Sequence, residues 1–164
     1  MRCIRAVRLF RWLAITLLPW SAIARAELAA WDQAKAAALT KDLAATTKAL
    51  YETFIDQPRP SLESMQIRPY YRLKQEVWLL GIEASELATM LEKGDGREQT
   101  ILIYDNMMQL VRRAREDAEQ AFIAHDVEER ATAVRAVLNQ LGPYYDSDFQ
   151  TLPPPHGSEP PKAR

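Results

Sequence analysis

The chain has 164 residues, of which 48% are hydrophobic, and a formal net charge of −1. That charge is misleading, because five of the 21 basic residues lie within the first 26 positions; the 16 that remain face 22 acidic residues, for a net charge near −6. This acidity, without any Lys/Arg block, argues against nucleic acid or an anionic membrane surface as a partner. Cys3 is the single cysteine. The chain after it therefore has no disulfide, thiolate metal site, cysteine nucleophile or covalent haem attachment.

The amino terminus has the pattern of a secretory signal peptide. Arginines precede an apolar run from Trp12 to Ala24 that ends in small residues, and the run of about 13 residues is too short to span a bilayer. Cleavage is possible at Ala24 or Ala26, and we favour Ala26 because Glu27 then begins the mature protein. We therefore expect a signal peptide at 1–26, a folded domain at 27–149, a disordered Pro-rich tail at 150–164 and a periplasmic or secreted protein that is free of the membrane after cleavage.

The segment from Pro69 to Lys93 is the predicted centre of the fold, because it carries two apolar stripes where a surface helix carries one. The second stripe, Tyr71, Trp78 and Ile82, lies roughly 130 to 170° from the first at 100° per residue. The first stripe has the heptad spacing of a bundle-facing seam. Its members are Tyr70, Leu73, Val77, Leu80, Ala84, Leu87 and Leu91.

The second stripe needs a cover or must face solvent. One candidate cover is intramolecular, namely the connection from Gln57 to Pro69 with Met65 and Ile67, or the aromatic start of the tail. Another is the surface of a partner protein or of a second copy of the chain. Exposure of such an apolar strip is unusual in a soluble monomer unless the strip is used.

The remaining segments predict three more helices, and hence an all-α, antiparallel up-down four-helix bundle with a short fourth helix. Helix one is expected from Trp31 to Asp56, with Leu39, Leu43, Thr46, Leu50 and Phe54 facing inward. The Lys93–Gly96 segment is a tight turn before helix three, which is expected at Arg97–Ala124 with a solvated face of mixed charge. The charged residues of that face are Arg112, Arg113, Arg115, Glu116, Asp117 and Glu119. Helix four is expected at Val127–Leu141, with Asp126 as its cap, followed by a return of Tyr144, Tyr145 and Phe149 onto the bundle.

No residue constellation predicts catalysis. The two histidines, His125 and His156, have no ligand set around them, although His125 beside Glu128 and Glu129 could hold a divalent ion. The sequence also lacks a nucleophile triad, a phosphate-binding glycine loop and the Glu-x-x-His pairs of di-iron bundles. We therefore expect no enzyme activity and no cofactor.

The layout resembles the exported four-helix bundles cytochrome c′ and cytochrome b562, which hold haem between their helices. Where the c′ family carries C-x-x-C-H, this chain has Leu141–Tyr145, LGPYY. The resemblance implies at most a non-covalent haem, which would need Met65 or Met107 together with His125. Because fold does not imply function, no site is transferred from either family.

Two functions remain. The first is a non-enzymatic interaction module that uses the Tyr71, Trp78 and Ile82 face of helix two to bind a protein partner or to form a homodimer. The alternative is a carrier that takes an apolar ligand or haem into the bundle.

Overall fold

The computed structural model describes residues 28–61, 65–121, 123–146 and 150–152. The predicted signal peptide, Phe149 and the tail from residue 153 lie outside these ranges. Every regular element within them is helical: α1 (Gln33–Ile55), α2 (Ile67–Glu92), α3 (Arg97–Ala118), α4 (His125–Leu141) and a 3-10 helix, Gly142–Tyr144. At 17 residues α4 is the shortest of the four α-helices, as predicted.

The helices pack as an antiparallel four-helix bundle, which confirms the predicted fold. Lys41 near the start of α1 pairs with Glu92 at the end of α2 at 3.5 Å, and the rings of Phe54 and Tyr70 meet 5.0 Å apart at the opposite ends of the same helices. These two contacts fix α1 and α2 in opposite directions. Helix α1 also packs along α4, and α2 along α3, whereas the backbones of α3 and α4 approach each other less closely.

The heptad seam of α2 is the core of the molecule. All seven predicted positions are buried, together with Pro69 and Ala88. The prediction for α1 is partly wrong, because Leu39 and Thr46 are only half-buried. The buried seam of α1 is instead Ala36, Thr40, Leu43, Thr47, Leu50 and Phe54.

Two helix boundaries differ from the prediction near the α3–α4 connection. Helix α3 ends at Ala118 rather than Ala124, and α4 begins at His125. Asp126 is therefore not the predicted cap, since it lies inside the first turn of α4. The side chain of Gln57, just beyond α1, stabilises this helix start by donating from Nε2 to Asp126 Oδ1 at 2.7 Å and accepting from the Ala124 N–H at 3.4 Å.

An aromatic cluster closes the opposite end of the bundle. Tyr144 and Tyr145 are buried, which confirms that the aromatic start of the tail folds back. Tyr145 stacks on Tyr104 with ring centroids 4.4 Å apart, meets Trp31 edge-on at 5.5 Å, and its hydroxyl lies 2.9 Å from Thr100 Oγ1. This cluster ties the residues before α1, the start of α3 and the segment after α4 to one another.

Leu152, which lies inside the segment expected to be disordered from residue 150, is packed on the bundle. The Leu152 N–H donates to Asn139 Oδ1 on α4 at 2.8 Å, and its side chain is half-buried against the core. The described part of the tail therefore lies on α4.

Candidate interaction face

The second apolar stripe of α2 lies on the outside of the bundle. Tyr71, Trp78 and Ile82 are 44%, 48% and 43% exposed, respectively. Tyr71 is supported from one side by the ring of Tyr70, which it meets edge-on at 5.5 Å. The structure therefore places the three predicted side chains along one open strip of a helix whose opposite side fills the core.

The described parts of the connection and tail do not cover this strip. Met65, which belonged to the intramolecular candidate cover, is 96% exposed and covers nothing in the described ranges. Tyr144 and Tyr145 are buried in the aromatic cluster around Trp31 and Tyr104 instead. Within the ranges that the structure describes, the strip thus has no intramolecular cover.

The strip is wider than the sequence indicated, because α1 adds Ile55 to it. Phe54 faces Tyr70 across the α1–α2 contact, and the next residue on each helix turns toward the same outer side. Ile55 and Tyr71 therefore lie at the same level, and Ile55 is also about half exposed. Ile55 is a large apolar residue that does not fall on the inward face predicted for helix one. This mismatch is the sequence signal that could have identified it as part of the strip.

Polar and charged residues complete a single row along the outside of α2. The row advances by three or four residues at a time, the step that keeps side chains on one helix face. All of its members are exposed, and its two end residues, Arg68 and Glu86, make no ion pair with any residue in the described ranges. We call this set the outer row: Arg68, Tyr71, Gln75, Trp78, Ile82 and Glu86.

The α2–α3 contact contains a charged cluster that the sequence did not predict. Asp117, assigned to a solvated face, is buried and forms a two-pronged pair with Arg72, whose Nε donates to Oδ2 at 3.0 Å and whose Nη2 bonds Oδ1. Glu76 lies beside this pair with its side chain 12% exposed, and Arg113 Nε is 3.8 Å from Glu76 Oε1. The solvated-face interpretation is therefore wrong for Asp117.

Burial raises the pKa of Glu76 above its ordinary value. The nearby carboxylate of Asp117 adds to this rise, whereas Arg113 and Arg72 oppose it. Glu76 Oε2 is also buried with no hydrogen-bond partner among the described residues. The cluster therefore joins α2 to α3 but holds one carboxylate in an unfavourable setting.

The residues considered for metal or haem binding are not brought together. His125 is at the exposed start of α4, with its Nε2 3.3 Å from Glu129 Oε1 and its Nδ1 3.8 Å from Glu128 Oε2. Met107 is completely buried, and Met65 lies almost fully in solvent. In the part of the chain that the structure describes, no group of three or more His, Cys, Asp or Glu side chains is arranged to hold a metal ion.

Two hollows on the surface also lack the character of a haem or lipid site. One, of about 180 Å³, lies between α1 and α4 and is lined by small side chains with Arg130 at its edge. The other, of about 480 Å³, lies at the start of α2 and is lined largely by polar side chains. Pockets that bury a ligand are mostly apolar and enclosed. These hollows give the carrier alternative no support.

Comparisons with protein families, with curated proteins and with solved structures find no match for this chain. None of the helices within the described ranges combines the length and hydropathy needed to cross a bilayer.

Proposed function

We propose that this protein is a non-enzymatic interaction module that binds another protein surface through the outer row of α2. One observation carries the proposal: Tyr71, Trp78 and Ile82 lie on one strip, each nearly half exposed, on a helix whose opposite side is fully packed. Contiguous apolar strips with polar rims mark interaction sites on soluble proteins.

The composition of the strip supports binding rather than chance exposure. Trp78 is near the middle of the outer row, and aromatic side chains at the centre of an interface often carry much of its binding energy. Ile55 widens the apolar part on one side. Lys48 and Glu52 precede Ile55 by seven and three residues, so these exposed charges share its face of α1, and Lys48 Nζ lies 3.9 Å from Glu52 Oε1. An apolar centre with a charged edge is the usual anatomy of a protein–protein contact.

We also propose that the protein is exported and that it has no enzymatic role. The pattern of residues 1–26 supports secretion, so the interaction would take place in the periplasm or outside the cell. A bundle without cysteine in its exported part relies on its core for stability, and the seam of α2 supplies much of that core. The outer row is thereby left available for binding.

The variant Trp78→Ala tests the proposed function through two measurements, the free energy of unfolding and the native mass of the complex. Because nearly half of the Trp78 side chain is exposed to solvent, we expect the free energy of unfolding to fall by less than about 1 kcal/mol. The native mass of the protein, isolated gently from the cells that express it, is expected to fall as the complex is lost.

Leu102→Ala on α3 is the matched control. Leu102 is also a large exposed apolar residue, but it lies outside the outer row, and its replacement is expected to leave the native mass unchanged. The proposal fails if Trp78→Ala lowers stability by several kcal/mol while the native mass stays the same, since Trp78 would then serve folding.

A further inference from the structure

The outer row of α2 has a symmetry that a general binding face would not need. Arg68 and Glu86 are each nine residues from Val77, one before it and one after it, and their charges are opposite. Tyr71 is six residues before Val77 and Ile82 is five after it. From either end, the row therefore has the same order: a charged residue, a large apolar residue, the centre, a second large apolar residue and a residue of the opposite charge.

Such a row is complementary to itself when two copies of α2 run antiparallel. A two-fold axis near Val77 would place Arg68 of one helix opposite Glu86 of the other, and Tyr71 opposite Ile82, each contact occurring twice. Trp78 would lie beside Gln75 close to the axis, so the two Trp78 side chains would flank it. Steps of three and four residues are those by which two helices interlock at a shallow angle.

We propose that the partner of the outer row is a second copy of this chain, in an isologous dimer with the two α2 helices antiparallel. This inference rests on the proposed function, since it names the surface that the same face binds.

The end charges favour this arrangement over the parallel one. Side-by-side parallel helices would bring Arg68 against Arg68 and Glu86 against Glu86, which is repulsive. The antiparallel arrangement turns both contacts into opposite-charge pairs. Both side chains are exposed, and neither makes an ion pair within the described ranges. The two charges are about 27 Å apart along the helix at 1.5 Å per residue, and such pairs at the rim of an interface fix its register.

Residues beside the row extend the same contact. Met65, 96% exposed just before α2, lies beyond Arg68 and would face the partner's helix near Thr89. Ile55 of α1 widens the apolar centre beside Tyr71. One helix with these flanks offers less than the roughly 800 Å² per partner of a standard interface. The dimer is therefore expected to dissociate at a concentration in the micromolar range.

The test is the mass of the purified protein, measured by sedimentation equilibrium from about 1 to 100 μM. Wild-type protein is expected to pass from monomer to dimer over this range. Arg68→Glu places two carboxylates opposite each other at both ends, and Glu86→Arg places two guanidinium groups there. Each single variant is therefore expected to dimerise at least tenfold more weakly. The double variant, Arg68→Glu with Glu86→Arg, is expected to recover the wild-type association because it restores both pairs.

Mixing the two single variants tests the same charge pairing independently. A heterodimer of the Arg68→Glu chain with the Glu86→Arg chain has opposite charges at both ends, so the mixture is expected to associate more tightly than either variant alone. Arg112→Glu on α3 is the control, because it makes the same change of charge at an exposed position outside the outer row. It is expected to leave the association unchanged.

Each possible failure points to a different part of the account. The antiparallel arrangement is overturned if the wild type dimerises but the charge reversals do not weaken dimerisation. It is also overturned if the double variant does not recover the wild-type association. Wild-type protein that stays monomeric throughout overturns the second copy as partner. If that monomer is also part of a larger complex that Trp78→Ala abolishes, the interaction function stands and only the identity of the partner is wrong.

Discussion

Leu80 and Ile82 are two residues apart on α2, yet the structure gives them opposite roles. Leu80 is almost completely buried in the core seam, whereas Ile82 is in the outer row. Leu80→Ala removes three carbon atoms from the core, about 2.4 kcal/mol at roughly 0.8 kcal/mol each. The cavity left behind adds to this loss, so the free energy of unfolding is expected to fall by about 3 kcal/mol. Ile82→Ala creates no cavity and is expected to cost less than about 1 kcal/mol.

Urea unfolding followed by circular dichroism measures both values. With an m-value of about 1.5 kcal/mol/M, a loss of 3 kcal/mol lowers the midpoint by about 2 M. The measurement belongs at the lowest practical protein concentration, because association would add stability to the wild type. Equal costs for Leu80→Ala and Ile82→Ala, or a cost below about 1 kcal/mol for Leu80→Ala, would refute the division of α2 into an inner seam and an outer row.

Three further predictions concern the charged cluster and the aromatic end of the bundle. Burial raises the pKa of Glu76, so the folded state binds this proton more tightly than the unfolded state, and stability is lost as the pH rises above the ordinary carboxyl value of 4.5. Glu76→Gln is accordingly expected to raise the free energy of unfolding at pH 7 by about 1 kcal/mol, with no difference from wild type below about pH 4 in urea titrations. Arg72→Met leaves the carboxylate of Asp117 buried and unpaired, at a cost of about 1 to 3 kcal/mol in thermal unfolding, while adding Asp117→Leu should recover most of this loss; a double variant no better than the single one would contradict that reasoning. Burial raises the pKa of Tyr104 and of Tyr145, so stability is expected to fall as the pH rises above about 10, and tyrosinate absorbance from these two rings should appear together with unfolding rather than before it.

The part of the fold that could be predicted from sequence is the part that local periodicity encodes. The seam of α2 repeats large apolar residues over three heptads, and all seven positions are buried. In α1 the periodicity is less decisive, because Thr46 and Thr47 are chemically identical neighbours. Only the packed structure distinguishes them: Thr47 is buried, with its methyl group against α2 beside Gly81, 3.7 Å from where a β-carbon on that glycine would lie.

The features that could not be predicted depend on residues distant in the chain. Asp117 lies in a run of charges that looks solvated, and it is buried only because Arg72, 45 residues earlier, pairs with it. Asp126 has the local pattern of a helix cap, but it lies in the first turn of α4 and its side chain accepts from Gln57, 69 residues earlier.

In the candidate site, too, some residues could be identified from the sequence around them, whereas others required the packed structure. Tyr71, Trp78 and Ile82 were identified because large apolar residues opposite a core seam are conspicuous. Gln75 was not, because one polar residue on a surface helix is unremarkable until its neighbours in the row are known to be exposed. Ile55 required the register between α1 and α2, which only the packed structure provides.

If the outer row of α2 is covered by protein when the molecule acts, the labelling rate of a single thiol on that row must fall when the protein associates. Cys3 is the only cysteine of the chain, so replacing it by serine leaves an introduced Gln75→Cys as the only thiol. We expect rapid maleimide labelling in dilute solution and at least tenfold slower labelling on concentration or in the presence of the native partner. Gln109→Cys, on the exposed side of α3, is expected to label at one constant rate. A labelling rate at position 75 that is the same under all these conditions would contradict this coverage of the outer row.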